Sequence, residues 1–519
     1  MAEHSFDNVG QLLGARVREY PEKDFLFSES SGRVFTYTEF DSAVNHAAAL
    51  LISSGARKGE RVSLLLTNSV EYLIFYFACF KIGAWAGPVN ALLKPQEIEF
   101  IIGNSESSTV VTQPDLYAKI TRTPQLQSVI VIDDEQPLEK AEKAISEITV
   151  RYGLPAAEHL ADFRAQAVDP EITIDSEAVI IYTSGTTGKP KGVLLTHGNL
   201  LANAEQISDW LRLTGADRSL LIMPLFHVNA LMTTCLAALW AGGSVVLAPR
   251  FSASRHWETV TTYGVSYFGS VATMLSLLNQ TYPEGVPAGL DISSLRFALC
   301  GSAPVPVEVM KRFESLFACP VIEGYGLSES TCRSTFNPTN ERRRVGSVGL
   351  PIGNEVKVFD DDDRELGPGE VGEIVLRGPN IMKGYYHNEA ATREAFRSGW
   401  FHTGDLGYKD ADGFFYIVDR KSDMIIRGGE NIYPREIDEI LYQHPKVKDA
   451  ATVGVKDALF GEEVKSFVVL AEGQQATEQE LLDFCRERLA DFKCPKAIVF
   501  LDDIPKGPTG KLLKRELQK

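Results

Sequence analysis

The segment that most restricts this chain is a run of four apolar residues, Ala178-Val179-Ile180-Ile181. It leads into Tyr182-Thr183-Ser184-Gly185-Thr186-Thr187-Gly188-Lys189-Pro190-Lys191-Gly192. The apolar run predicts a strand. Behind it, three glycines let the backbone turn sharply and bring N–H groups toward an anion. The hydroxyls of Thr183, Ser184, Thr186 and Thr187 and the ammonium groups of Lys189 and Lys191 add donors and positive charge. A triphosphate asks for such a combination. The loop is not a Walker A motif. Two residues, not four, separate Gly185 from Gly188, and Pro190 follows Lys189 where Ser or Thr is required. An ordinary polar turn is the plainer alternative.

The rest of the chain supplies a setting for such a loop. Segment 62–66 reads as a short apolar strand, 70–81 as a helix and 84–89 as another strand. That is the βαβ rhythm of a parallel sheet covered by helices. Thr38-Glu39-Phe40-Asp41 offers a cap for a helix that stops at Gly55. The acidic, turn-rich stretch 360–372 predicts a hairpin that opens a small β-rich unit. The last hundred residues read as a separate α+β unit. Its helix is Pro434–Tyr442, its strands are 451–455, 466–470 and 497–501, and a capping box at Thr477 and Glu480 opens a second helix. In that helix Leu481, Leu482, Phe484, Cys485 and Leu489 fall at helical spacing.

Charge and cysteine content exclude several classes. The net charge is −17, which argues against a protein that wraps nucleic acid. Positive charge collects in 506–519, where five bases face the single acid Glu516. Such a run is either a solvated tail or an anion site. The seven cysteines are scattered and form no CxxC pair, so neither a zinc site nor a disulfide framework is expected. A reduced cytoplasmic protein is expected instead. The first thirty residues carry charges throughout, so no signal peptide is expected. The uncharged stretch 228–249 contains Asn229, Thr233, Thr234 and Gly242-Gly243. It reads as a buried helix, a glycine turn and the strand Ser244–Leu247, not as a membrane span. The final residues are not a peroxisomal address.

The 182–192 loop resembles the signature of the AMP-forming adenylating enzymes, which include acyl-CoA synthetases, peptide-synthetase adenylation domains and firefly luciferase. Further segments resemble that family's motifs in the same order, over nearly the whole chain. Pro224-Leu225-Phe226-His227 resembles the aromatic motif beside the acyl pocket, with His227 in the gating position of acyl-CoA synthetases and no Asp for an amino-acid substrate. Gly301-Ser302-Ala303-Pro304 resembles the small-residue loop against adenine. Glu323-Gly324-Tyr325-Gly326-Leu327-Ser328-Glu329 resembles the motif in which Tyr325 would stack on adenine, Ser328 would meet the α-phosphate and Glu329 would hold Mg²⁺, with Thr183 as a second metal contact. By the same resemblance, Asp405 would accept both ribose hydroxyls, with Ile417 and Arg420 near the nucleotide. The hinge would fall at Ser422, where many relatives carry Lys or Asp. Gly428 and Gly429 would line the pantetheine channel, and Lys511 would catalyse adenylation.

The resemblance implies an α/β fold. A large N-terminal domain, 1–420, would hold two α/β sheet subdomains and a small β-barrel-like subdomain. A small mobile α+β C-terminal domain, 421–519, would follow. It implies an acid–thiol ligase that uses ATP, Mg²⁺ and coenzyme A, acts on a small-molecule carboxylic acid through an acyl-adenylate, and exists as a monomer or homodimer without nucleic-acid partners. Asn229, Thr233, Cys300, Gly301, Gly324 and segment 267–274 would surround the acyl group. Val271-Ala272-Thr273 departs from the usual Val-Pro-Thr at that edge. These groups are mainly small or neutral, so a medium- or long-chain fatty acid is expected. Aryl acids of the coumarate, ferulate or benzoate kind and crotonobetaine- or carnitine-like acids are alternatives. Transfer to a carrier protein or an amine, and an inactive binding scaffold, are the readings from other classes.

Overall fold

The computed structural model describes residues 6–132, 149–152, 171–183, 190–302, 305–457, 459–506 and 512–518. These residues form four sheets. The first has nine strands. Six run parallel in the order Asp24–Ser28, Ser244–Leu247, Arg218–Leu221, Tyr267–Ser270, Phe297–Cys300, Val321–Tyr325, with antiparallel strands at both edges. The second has eight strands. Glu177–Thr183, Trp85–Pro88, Arg61–Leu65, Thr109–Thr112, Ser128–Val131 and Thr149–Tyr152 are parallel. Lys191–Thr196 and Gly384–Tyr385 close its other edge antiparallel. The expected βαβ rhythm is therefore the construction rule of both large sheets.

One helix explains why the sheets share a core. In Val70–Ile82 every residue except Glu71 is buried. A helix that is apolar all round has no face to give to water and must be enclosed. A single apolar cluster joins it to Val62 and Leu64 of the second sheet and to Leu221 and Val245 of the first.

The expected small β-rich unit is an antiparallel four-stranded sheet, Glu355–Phe359, Gly372–Arg377, Phe401–Lys409 and Phe415–Arg420. Its first two strands form the hairpin anticipated around 360–372, with Phe359 opposite Glu373. The fourth sheet, built from residues after 424, has five strands. Gly461–Leu470 lies between Val447–Asp457 and the parallel strand Ala497–Phe500. Its helix Pro434–Tyr442 has the expected bounds.

Two caps differ from expectation. The helix Tyr37–Ser53 is capped by Thr36, not Thr38: Thr36 Oγ1 accepts from Glu39 N at 3.1 Å, and Glu39 Oε2 accepts from Thr36 N at 2.8 Å. Starting there puts Tyr37 in the core. Thr477 caps Glu478–Arg486, but the Glu480 carboxylate pairs with Lys446 at 2.7 Å, so only half the box forms. That helix ends at Arg486, which leaves Leu489 beyond it. Within 228–249 the buried helix is a π-helix, Ala230–Leu236, continued by a turn of α-helix. The Thr233 and Thr234 hydroxyls donate to the carbonyls of Asn229 and Ala230, at 2.5 and 2.8 Å. Such back-bonding accompanies local distortion of a helix.

All seven cysteines are free thiols. Among the described residues no helix is long and apolar enough to cross a membrane.

Candidate active site

Register builds the centre of the site. Asp405 and Arg420 lie opposite each other on neighbouring antiparallel strands. Arg420 Nε stands 3.2 Å from Asp405 Oδ1. Tyr325, the last residue of its strand in the first sheet, donates to Asp405 Oδ2 at 2.7 Å. Asp405 is 5% exposed, so its charge is held by partners and not by water. Burial, then Asp405, push the Tyr325 phenol well above its ordinary pKa, so it remains a donor. For Arg420 burial opposes the charge, but Asp405, Tyr325, Asp423 and Glu329 outweigh it and raise its pKa.

A second chain of contacts reaches from this centre to the glycine-rich loop. Ser328 and Glu329 lie on the single turn Ser328–Ser330. Tyr385 donates to Glu329 Oε1 at 3.0 Å, and Lys191 Nζ lies 4.9 Å from the centroid of the Tyr385 ring. Lys191 pairs in register with Thr183. Burial raises the Glu329 pKa against the opposing pull of Tyr385 and Arg420. The structure thus brings Thr183, Lys191, Tyr325, Glu329, Asp405 and Arg420 into one chain of contacts. Ser184, Gly185, Thr186, Thr187, Gly188, Lys189, Ala303 and Lys511 lie outside the described residues.

Around this centre, Ser302 follows Gly301 with a positive φ of 69° and accepts from Asn229 Nδ2 at 3.2 Å. Gly324 is required by close approach: a β-carbon there would stand 2.4 Å from the Phe336 ring. Gly326 follows Tyr325 at the end of that strand. Gly428 and Gly429, with φ of 58° and 92°, form the two-residue turn between Ile425–Arg427 and Glu430–Ile432. Both positions demand positive φ, which glycine supplies. Ile417 gives its carbonyl to Arg435 Nη1 at 2.7 Å, so it faces the C-terminal helix with at least that atom.

His227 packs its ring 4.5 Å from that of Phe226, and its Nε2 has no hydrogen-bond partner among the described residues. Burial pushes its pKa down to about 4, so it is neutral at pH 7. Burial also pushes Glu323 up to about 7, with Arg435 opposing and Glu439 reinforcing. Its Oε2 is unpartnered. The sequence motifs do not single out Tyr385, Arg435 or Arg333. Tyr385 and Arg435 act across long separations in the chain, and only the fold shows their partners.

Among the described residues, no group of three or more His, Cys, Asp or Glu side chains could hold a metal alone. One partly buried carboxylate, Glu329, suits Mg²⁺, which takes few protein ligands and completes its shell with phosphate oxygens and water. In the C-terminal sheet an open cleft of about 410 Å³ is lined by Arg427, Arg486, Lys496 and Phe460. Glu463 and Asp491 line it as well, and Arg427 is paired with Glu463 at 2.6 Å, so its charge is mixed.

Comparison with known proteins shows which family the chain resembles. Residues 13–386 match the family described as AMP-binding enzyme, and residues 436–511 match the AMP-binding enzyme C-terminal domain. The chain is 38% identical to a sulfoacetate–CoA ligase of Cupriavidus necator, covering 99% of this chain and 97% of that protein. It is 33% identical to an oxalate–CoA ligase of Arabidopsis thaliana, covering 98% of each. It is 35% identical to a long-chain-fatty-acid–CoA ligase of Bacillus subtilis, covering 98% and 93%. The crystal structure of ATP-bound MatB from Rhodopseudomonas palustris superposes with a TM-score of 0.85 at 29% identity, covering 98% of each chain. The o-succinylbenzoate CoA synthetase of Bacillus subtilis, in complex with ATP and magnesium ion, gives 0.81 at 31% identity, covering 98% and 99%. The chain belongs to the AMP-binding enzyme family, as an acid–thiol ligase of the AMP-forming type.

Proposed function

We propose that this protein joins a carboxylic acid to CoA in two steps at one site, with an acyl-adenylate between them. The observation that carries the reading is the Asp405 carboxylate, which ties Tyr325 and Arg420 together beside Glu329. A nucleoside fits that arrangement: a ring to stack, a buried carboxylate for ribose hydroxyls, and a cation for phosphate.

In the first step a carboxylate oxygen of the acid forms a bond to the α-phosphorus of ATP. The bond to the bridging oxygen breaks, and pyrophosphate leaves with the electron pair. The nucleophile is already an anion, so the protein has to align two anions and offset their charge. Arg420, Lys191, the loop that Thr183 opens and Lys511 do this. Glu329, with Thr183, would hold Mg²⁺, which would supply further charge neutralisation at the phosphates.

In the second step the CoA sulfur forms a bond to the acyl carbon. The carbon–oxygen bond to the phosphate breaks, AMP leaves with the electron pair, and the thiol proton passes to water. His227, neutral with a pKa of about 4, shapes the passage between acid and thiol and is too weak a base to hold the thiol proton. Between the steps, the C-terminal domain, 421–519, rotates about Ser422 against the N-terminal domain, 1–420. Lys511 is replaced by the turn at Gly428 and Gly429. Seven free thiols suit a reducing compartment such as the cytoplasm.

The relatives are named for sulfoacetate, oxalate and long-chain fatty acids, so similarity alone does not choose the acid. A medium- or long-chain fatty acid has the fatty-acid ligases in its favour, and a structural neighbour is an anthranilate CoA ligase with anthranoyl-AMP bound. Against a purely apolar acyl group stands the buried cation Arg333. The test is a panel of carboxylates scored for AMP release with free CoA. Release that needs both acid and CoA supports the ligase. Acid-dependent release that ignores CoA points to a carrier protein or an amine as acceptor.

A further inference from the structure

Arg333 is 2% exposed, yet no carboxylate among the described residues forms an ion pair with it. Its Nε has no hydrogen-bond partner among the described residues. Nη1 reaches one carbonyl, that of Gly324, at 3.4 Å. The guanidinium lies 5.3 Å from the centroid of the Phe336 ring. It also rests on Gly301, where a β-carbon would stand 2.8 Å from both terminal nitrogens.

The main chain of this residue is, by contrast, fully held. Arg333 N donates to Asn203 Oδ1 at 3.1 Å, and its carbonyl accepts from Asn203 Nδ2 at 2.8 Å and Asn380 Nδ2 at 3.1 Å. Arginine does not escape burial by losing its proton. A buried, unpaired guanidinium is costly, and a matching anion removes that cost. Glu323 is an acid that acts on Arg333 through space, but burial pushes it up to about 7 and leaves Oε2 unpartnered. It forms no ion pair with Arg333.

The side chains beside Arg333 are those expected around the acyl group. Gly301, Gly324 and Cys300 lie near the guanidinium. The adjacent Cys332 Sγ is 4.0 Å from Asn229 Oδ1, and Asn229 also takes the Thr233 hydroxyl at 2.7 Å. On the resemblance to the adenylating enzymes, Arg333 would border the acyl group and Arg420 the nucleotide, and the contacts with Gly301 and Gly324 support that placement of Arg333.

We propose that Arg333 receives a second anionic group, a carboxylate or a sulfonate, carried by a short substrate acid. Its planar fork suits two oxygens of one anion. This rests on the ligase reading above and sets the acid's class within it.

The experiment compares acids of matched length by kcat/KM for AMP formation with ATP and CoA: malonate and sulfoacetate with two anionic groups, malonamate and propionate with one, and octanoate for the fatty-acid class. The expected result is a preference of roughly a hundredfold for malonate or sulfoacetate over the singly charged acids. Which of the two is preferred identifies carboxylate or sulfonate. Arg333→Met should erase the preference through KM for the acid, with KM for ATP unchanged, and Arg333→Lys should restore part of it. If Arg333→Met does not fold, the wild-type comparison decides alone. Propionate or octanoate used as well as both dianions overturns the proposal and leaves the ligase reading standing. No AMP from any of these five acids overturns this proposal, whereas the ligase reading falls only if the wider panel of carboxylates also gives none.

Discussion

Tyr325 and Asp405 come from different sheets and meet in a hydrogen bond of 2.7 Å. Arg420 takes the other oxygen, so one carboxylate joins the nine-stranded sheet to the small antiparallel one. Asp405→Asn keeps the shape and removes the charge. Hydrogen bonds to charged groups are worth about 1.5–3 kcal/mol, so kcat/KM for ATP should fall by roughly ten- to a hundredfold. Tyr325→Phe should cost less, since Arg420 remains. Wild-type ATP kinetics in Asp405→Asn would separate this carboxylate from the nucleotide.

Gly324 has no room for a methyl group. A β-carbon at this position would also stand 2.9 Å from the Thr335 carbonyl oxygen, and backbone moves less readily than a flexible side chain. Gly324→Ala should lower stability by about 1–3 kcal/mol, as overpacking does. Thermal unfolding measures this, and an unchanged midpoint would mean that the strand Val321–Tyr325 shifts without cost.

Exchange of one face between the two steps predicts selective damage. Lys511→Ala should stop acid-dependent pyrophosphate release while preformed acyl-adenylate is still converted to thioester by CoA. Gly429→Trp should leave pyrophosphate release intact and block thioester formation, as expected if the turn at Gly428 and Gly429 serves the second step alone. Equal loss of both half-reactions in either variant argues against a division of labour.

Asp438 offers a pH test outside the site. Burial raises its carboxyl to about 7 against the pull of Lys514, and its Oδ1 is unpartnered among the described residues. A carboxyl whose folded pKa is raised stabilises below its unfolded pKa, and that contribution is lost as pH rises through the folded pKa. Stability should therefore decline between about pH 4 and pH 7 on its account. Asp438→Asn should flatten that decline and gain a few kcal/mol at pH 8 relative to wild type. Parallel denaturation curves of the two proteins at pH 5 and pH 8 would contradict the assignment.

Much of the fold is legible from residue order. The strand before the glycine-rich loop, the buried helix after Ser69 and the helix Pro434–Tyr442 follow from local apolar pattern and turn residues, which act within a few positions. Asp405 and Arg420 stand in recognisable motifs, but their pairing depends on strand register. The cap at Thr36 is not legible because Tyr37 is drawn into the core, a tertiary demand that two nearby threonines do not reveal. The π-helical winding at Ala230–Leu236 is hidden for a similar reason: its spacing of apolar residues reads as an ordinary helix. Arg333 is not singled out in the sequence because polarity in a sequence carries no depth. Only packing against Gly301 and Phe336 shows that it is enclosed.

On this mechanism a carboxylate oxygen of the acid attacks the α-phosphorus of ATP. The direct measurement supplies an accepted acid labelled with heavy oxygen in its carboxylate, together with ATP and CoA, and follows the label by mass spectrometry. One labelled oxygen should appear in AMP, with none in pyrophosphate. Unlabelled AMP, or label in orthophosphate released alongside ADP, would contradict the acyl-adenylate route.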